Sequence, residues 1–78
     1  MKMFKIGDKV RWTSQAQGYT RTKEGEVVQV VDPGERPDRD RFSDLYKQGA
    51  GWGRRETSYV VRVGSKHYWP FASKLKRI

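Results

Sequence analysis

Residues 58–70 read SYVVRVGSKHYWP, which is a strand, a tight turn and a second strand that stops at a proline. Apolar residues occupy every second position of the first strand, and the polar Arg62 lies between two of them. This period of two is typical of a strand with one buried face. The Gly64-Ser65 pair is typical of a two-residue hairpin turn, so we expect strands over 58–63 and 66–69 that pair antiparallel. The buried face of the first strand is expected to carry Tyr59, Val61 and Val63.

The N-terminal third predicts two further strands. The first run alternates apolar and cationic residues, which predicts a half-buried strand interrupted near Gly7-Asp8. Residues 13–23 are polar and contain Gly18, so we expect a loop there. Residues 24–31 predict the second strand, and its four valines are compatible with a β-bulge. In the first strand we expect Ile6, Val10 and Trp12 on the buried face, and Lys5, Lys9 and Arg11 on the outer face.

A long insertion over about 32–56 separates these strands from the hairpin. Structureless loops of such length are uncommon in compact domains, and part of the insertion has helical spacing. Asp38 can cap a helix and Gly49 can end it, so we expect a short helix over about 39–48. Its apolar side chains at i, i+3 and i+4, which should pack against the sheet, are Phe42, Leu45 and Tyr46.

After the hairpin, residues 71–75 predict one helical turn and residues 76–78 predict a last short strand. The strings Ile6–Val10 and Glu24–Val28, followed by the hairpin, resemble SH3-like barrels of the KOW and Tudor kind. We therefore expect an all-β fold in a single domain, residues 1–78. We expect this domain to be a five-stranded SH3-like barrel with a short helix in the long inserted loop (about 32–56) and one helical turn before the last strand.

Composition and charge favour a basic binding domain in a reducing compartment. The chain has no cysteine, no apolar run of membrane-spanning length and no apolar leader, so we expect a cytoplasmic protein without membrane contact. Its formal charge is +8, with a net +3 over residues 1–31, −2 over 32–46 and +7 over 47–78. An uneven positive charge of this kind is typical of proteins that bind polyanions, although it also keeps a small domain soluble.

Two closer resemblances involve particular strings. The first resemblance is to small uncharacterised proteins of bacteria and their phages. It rests on Arg11–Gln15, Gly25, Ser58–Val61, and Tyr68–Pro70 through Ser73 and Leu75. That resemblance spans the chain and implies no particular activity.

The second resemblance is to the plasmid-type, trimethoprim-resistant dihydrofolate reductases, which are SH3-like tetramers. It rests on Gly7–Arg11 and on Trp69-Pro70 through Ile78. That family lines its pore with a Val-Gln-Ile-Tyr strand before the proline, whereas this chain has Lys66–Trp69 there. Because the glutamine that contacts ligands is missing, the resemblance implies a shared fold and not a shared activity.

Catalytic and metal-binding patterns are weak. His67 is the single histidine, there is no Gly-x-Ser-x-Gly turn, and the Gly49-x-Gly51-x-Gly53 run does not lead into a helix. We therefore expect no enzyme activity, no catalytic residue, no metal site and no cofactor. The acidic residues Asp38, Asp40 and Asp44 lack EF-hand spacing, and the neighbouring Arg36, Arg39 and Arg41 should neutralise them.

Cations interleaved with aromatic residues form the strongest functional pattern, because cations neutralise phosphates and aromatic rings stack on exposed bases. Trp12 and Tyr59 are expected in the core, whereas for Tyr19 and Trp52 both a core role and a ligand role stay open. The candidate nucleic-acid-binding residues are Lys9, Arg11, Tyr19, Arg21, Lys23, Trp52, Arg54, Arg55, Arg62, Lys66 and His67.

Three functions are compatible with these patterns. The first is a small accessory module that binds DNA or RNA through phosphate contacts with little sequence specificity. The second is a protein-interaction module of phage or mobile-element origin that uses the insertion as its contact. The third is an SH3-like enzyme of the reductase type. The sequence does not decide the oligomeric state.

Overall fold

The computed structural model describes residues 3–16, 18–47 and 53–78. It contains five strands in one antiparallel sheet, with the spatial order β4-β3-β2-β1-β5. The strands are β1 (Lys9–Ala16), β2 (Tyr19–Val31), β3 (Ser58–Val63), β4 (Lys66–Tyr68) and β5 (Lys76–Arg77), and the helices are α1 (Ser43–Lys47) and a 3-10 helix at Ala72–Lys74.

The sheet is open. β4 and β5 are its two edges, and β5 pairs with β1 through two residues only, Val10 with Arg77 and Arg11 with Lys76. The predicted all-β class, the five strands, the C-terminal hairpin, the short helix in the insertion and the helical turn before the last strand are confirmed. Closure into a barrel is not confirmed, because the two edge strands are not hydrogen-bonded to each other.

The prediction of a loop over 13–23 is wrong. β1 continues to Ala16 and β2 begins at Tyr19, and the two strands pair without interruption from Lys9 with Glu26 to Ala16 with Tyr19. Gly18 has φ +80°, a left-handed conformation that glycine adopts without steric cost and that suits a tight hairpin turn. The segment is polar because most of it lies beyond the core, not because it lacks regular structure.

The predicted burial of Ile6 is also wrong, since its side chain is 65% exposed and Phe4 is buried instead. The chain turns at Gly7, which has φ +97°, and the Asp8 backbone N–H donates to the Lys5 carbonyl at 3.0 Å. This turn breaks the strand alternation before Lys9, so residues on its two sides do not share a face.

The helix begins later than expected, at Ser43 instead of residue 39. Residues 39–42 form turns, in which one carboxylate oxygen of Asp38 accepts hydrogen bonds from the backbone N–H groups of Asp40 and Arg41 at 2.9 and 3.2 Å. The predicted cap is therefore present one turn ahead of the helix, and the predicted end at Gly49 lies outside the described residues. Among the described residues there is no helix long and apolar enough to span a membrane.

Two apolar clusters lie on opposite faces of β3. Tyr59 and Val61 belong to the first cluster, and Val60 between them belongs to the second, because successive strand residues point to opposite faces. We call these two sides of the sheet the Trp12 face and the Val60 face. The buried residues of the first cluster are Phe4, Val10, Trp12, Val27, Tyr59, Val61 and Leu75, and those of the second are Val31, Phe42, Leu45, Val60 and Trp69.

A β-bulge in β2 connects the two clusters. Val27 is opposite Val61, but Gln29 is opposite Val60, so Val28 is the extra residue. The shift moves Val31 to the Val60 face, where it packs beside the insertion. The bulge that the sequence allowed is therefore present. It lets Val27 serve the first cluster and Val28 and Val31 the second, while Val30 is exposed.

Gly25 lies in close contact with β3. A Cβ atom placed there would overlap the Arg62 carbonyl oxygen and lie 2.7 and 2.9 Å from the side chains of Val61 and Val63. The backbone of β3 therefore requires glycine at this position.

We predict that Gly25→Ala lowers the free energy of unfolding by about 1–3 kcal/mol, the usual cost of overpacking a dense site. Urea denaturation followed by tryptophan fluorescence measures this change. Thr22→Ala, an exposed substitution in the same strand, is the control and should stay within about 0.5 kcal/mol of the unmodified chain. Equal stability of the two variants would contradict the packing that the structure shows around Gly25.

Candidate nucleic-acid interface

Lys9 and Arg11 lie on the Val60 face of β1, as predicted, but a carboxylate on β2 faces each of them. Lys9 Nζ is 2.7 Å from Glu26 Oε1, and the Arg11 guanidinium is 3.0 Å from Glu24 Oε1. The hydrogen bond and charge of Lys9, together with the charge of Arg62, hold the pKa of the Glu26 carboxyl below its ordinary value. A phosphate on this surface would have to compete with two ionised carboxylates.

Arg62 extends the same row across β3. Its side chain is exposed, and it stands opposite Glu26 on one side and His67 on the other. A depression of about 460 Å³ beside it is lined by Lys9, Glu24 and Glu26 as well. Mixed charge makes this depression a poor site for an anion.

Arg54 has a structural role. Its guanidinium donates hydrogen bonds to the carbonyl oxygens of Trp69 and Pro70 at 2.6 and 2.9 Å. It also lies 4.0 and 4.3 Å from the ring centroids of Trp69 and Phe71, within cation–π range. Burial lowers the pKa of Arg54, although a guanidinium stays charged at neutral pH. These contacts hold the end of the insertion against the end of β4.

His67 holds the insertion from the other side. Its backbone N–H donates to Asp44 Oδ2 at 2.9 Å, and its ring Nδ1 lies 2.9 Å from Asp44 Oδ1. The ring packs against Phe42 with centroids 4.8 Å apart. The predicted strand histidine is therefore a clamp between β4 and α1.

The remaining predicted cations gather on the Trp12 face. Lys23 is directly opposite Trp12, and its ammonium lies 4.1 Å from the ring centroid of Tyr68, which in turn packs edge-on against Trp12. Strand alternation places Arg21 and Tyr19 on the same face of β2 as Lys23, and Lys66 on the same face of β4 as Tyr68. We call these five residues the aromatic–basic strip: Tyr19, Arg21, Lys23, Lys66 and Tyr68.

Accessibility and charge distinguish the strip from the other predicted cations. Tyr19 is 70% exposed, and the side chains of Arg21 and Lys66 are exposed. Within the described ranges, none of its three cations lies within 4.0 Å of a carboxylate oxygen. The strip is therefore a surface on which positive charge is available to a ligand.

Two predicted residues lie elsewhere. Arg55 is exposed beside a cavity of about 190 Å³ between residues 54–58 and 71–73, away from the strip. Trp52 lies outside the described residues. Tyr68, which is not among the predicted binding residues, is half-buried under Lys23. Its position two residues after Lys66 on one strand is the signal that could have placed it beside the cations.

No cluster of three or more histidine, cysteine or acidic side chains that could hold a metal ion occurs among the residues that the structure describes. Comparison of the chain with protein-family models, curated proteins and solved structures finds no match. The resemblances inferred from sequence strings therefore stay predictions.

The role of Arg54 predicts a stability defect. Arg54→Ala removes two hydrogen bonds from a charged donor, so the free energy of unfolding should fall by about 1.5–3 kcal/mol. Arg55→Ala removes the adjacent exposed cation and should change it by less than about 0.5 kcal/mol. Urea denaturation of both variants measures the difference. A loss that is equally large for Arg55→Ala would argue against the Arg54 clamp.

The Asp44–His67 clamp predicts an acid-sensitive contribution to stability. Burial alone would raise the pKa of Asp44, but hydrogen bonds from the His67 backbone and ring, together with the His67 charge, bring it below its ordinary value. A carboxyl with a depressed pKa stabilises the fold above its unfolded-state pKa of about 3.9, and this stability is lost as the pH falls through the lower folded-state value.

Urea midpoints measured between neutral pH and about pH 2.5 test this expectation. Asp44→Asn should be less stable than the unmodified chain at neutral pH, and the difference should shrink below about pH 4. Asp40→Asn makes the same charge change on an exposed turn and serves as the control. A difference between Asp44→Asn and the unmodified chain that does not vary with pH would show that the carboxylate charge contributes nothing.

Proposed function

We propose that this chain is a small nucleic-acid-binding module that contacts phosphates with little reading of sequence. The observation that carries the proposal is the absence of acidic residues from the Trp12 face: no Asp or Glu occupies a position on that face in the described parts of β1 to β4. Cations on a face without competing carboxylates are available for phosphates.

The insertion accounts for this separation of charge. Residues 32–46 carry a net charge of −2 and pack through Phe42 and Leu45 on the Val60 face. Glu24 and Glu26 also lie on the Val60 face, paired with Lys9 and Arg11. Glu24, Glu26 and Asp44 therefore lie on the Val60 face, opposite the strip, an arrangement that favours a positive potential on the strip side.

Aromatic residues in the strip favour nucleic acid over a simple anion. Tyr19 presents an exposed ring, and the Tyr68 ring lies beneath the Lys23 ammonium. Tyrosine hydroxyls hydrogen-bond to phosphate and sugar oxygens while the cations neutralise phosphates, so the strip offers two kinds of contact to a nucleic-acid backbone. In this proposal Lys9, Arg11, Arg54 and His67 take no leading part in binding, because each has a partner within the chain.

The strand order and the helical turn before the last strand also support an SH3-like arrangement with an open sheet. A sequence without cysteine supports a cytoplasmic location. The insertion lends the protein-interaction alternative no support, because Phe42 and Leu45 are buried and Tyr46 is partly buried in its own cluster. That alternative and the reductase-like one stay predictions.

Binding should show a strong salt dependence that the strip controls. Fluorescence anisotropy with labelled DNA and RNA oligonucleotides across a range of salt concentrations gives the slope of log K against log salt. Replacing Arg21, Lys23 and Lys66 together by Gln should weaken binding at least about tenfold and reduce the slope by about 2–3, at about 0.9 per phosphate contact on duplex DNA.

A triple variant of equal charge change provides the matched control. Arg36, Arg39 and Lys47 lie on the insertion, and their replacement by Gln should leave most of the affinity intact. An equal loss in both triple variants would show that net charge, and not the strip, decides binding. No binding to any oligonucleotide at about 50 mM salt would refute the proposed function.

A further inference from the structure

The β1–β2 hairpin extends beyond the rest of the sheet. On β1, pairing with β5 ends at Arg11. Pairing of β1 with β2 continues for five more residue pairs, from Trp12 with Lys23 to Ala16 with Tyr19. On the other side, the pairing of β2 with β3 begins only at Glu26. Over the described part of residues 12–23, which we call the β1–β2 ribbon, neither strand has a partner other than the other strand of the ribbon.

The composition of the ribbon is unlike that of the remaining chain. Residues 12–23 read WTSQAQGYTRTK and contain two cations, six hydroxyl- or amide-bearing side chains besides tyrosine, and no Asp or Glu. The nine acidic residues of the chain all lie outside it. Hydroxyl, amide and guanidinium groups are the side chains that contact base edges and phosphates.

A ribbon of this kind gains little from its own packing. A two-stranded hairpin is marginally stable at best in water unless its face is covered. Here the core ends at Trp12, which is 5% exposed, while Tyr19 near the tip is 70% exposed. Regular pairing that continues about 14 Å past the core suggests a surface kept ready for a partner.

We propose that the β1–β2 ribbon enters the major groove of duplex DNA with its Trp12 face toward the bases, an inference that rests on the proposed function and specifies its ligand. In this pose Arg21 lies nearest the base edges, and Lys23 and Lys66 neutralise phosphates at the groove wall. Arginine is the side chain that most often recognises guanine O6 and N7 in this groove.

The dimensions of the groove decide between the possible nucleic acids. The major groove of B-form DNA is about 12 Å wide and admits a two-stranded β-ribbon, whereas the minor groove is about 6 Å wide. The major groove of A-form RNA is too narrow for side-chain reading. A single strand has no groove to hold the ribbon. Duplex DNA is therefore the form that fits.

Comparison of a duplex DNA, its separated strand and a duplex RNA of the same sequence tests this inference, by fluorescence anisotropy at one salt concentration. We expect duplex DNA to bind at least about tenfold more tightly than the other two. Equal affinity for all three would overturn insertion of the ribbon and leave the proposed function intact. Absence of binding to all three would overturn both.

Methylation of the bound duplex identifies the groove. Dimethyl sulfate modifies guanine N7 in the major groove and adenine N3 in the minor groove, and we expect protection of guanine N7. Protection confined to adenine N3 would overturn the inference, because the ribbon would then not occupy the major groove.

Two matched variants connect the protection to the ribbon. Arg21→Lys keeps the positive charge but loses the planar donor pair, so it should keep the salt slope and lose guanine N7 protection. Thr22→Ala changes the opposite face of the same strand and should leave both unchanged. Loss of protection in Thr22→Ala, or its retention in Arg21→Lys, would overturn the proposed orientation.

Discussion

Burial of β3 on both faces is the constraint on which the rest of the structure depends. Tyr59, Val60 and Val61 are each 1% exposed or less, which a single sheet with one solvent-exposed face does not provide. The insertion supplies the second cover through Phe42 and Leu45. Each buried side-chain N or O atom of the described residues has a hydrogen-bond partner, so the double burial leaves no polar side-chain atom unsatisfied there.

The same constraint separates the charges of the surface. The insertion must lie on the Val60 face to cover β3, and its aspartates come with it. Gln29 anchors it there by accepting the Asp38 backbone N–H at 2.9 Å, while Arg54 and His67 fasten its end and its helix to β4. Arg54 is thereby occupied within the chain, whereas Arg21, Lys23 and Lys66 on the Trp12 face have no carboxylate within 4.0 Å among the described residues.

Local sequence patterns predicted the C-terminal hairpin and the helix, because residues close together in the chain determine these elements. Alternation at Tyr59 and Val61, the Gly64-Ser65 turn and the apolar spacing of Phe42 and Leu45 were sufficient for the C-terminal hairpin and the side of the helix that packs. The N-terminal hairpin was missed because its tip is polar on both faces, so no hydrophobic period marks it. Hydrogen bonds between main-chain groups hold these two strands together, and residue types do not reveal such hydrogen bonds.

The candidate site could be predicted in composition but not in arrangement. The sequence shows cations and aromatic residues, but strand register decides which cation faces a carboxylate. The pairing of Lys9 with Glu26, for example, is set by a turn eight residues away. Register also separates Arg11, paired with Glu24, from Lys23, which stands above Tyr68. A shift of one residue would move Lys23 to the Val60 face and bury Glu24 against Trp12. The cost of burying that carboxylate therefore helps to hold the register that keeps the strip free of acidic groups.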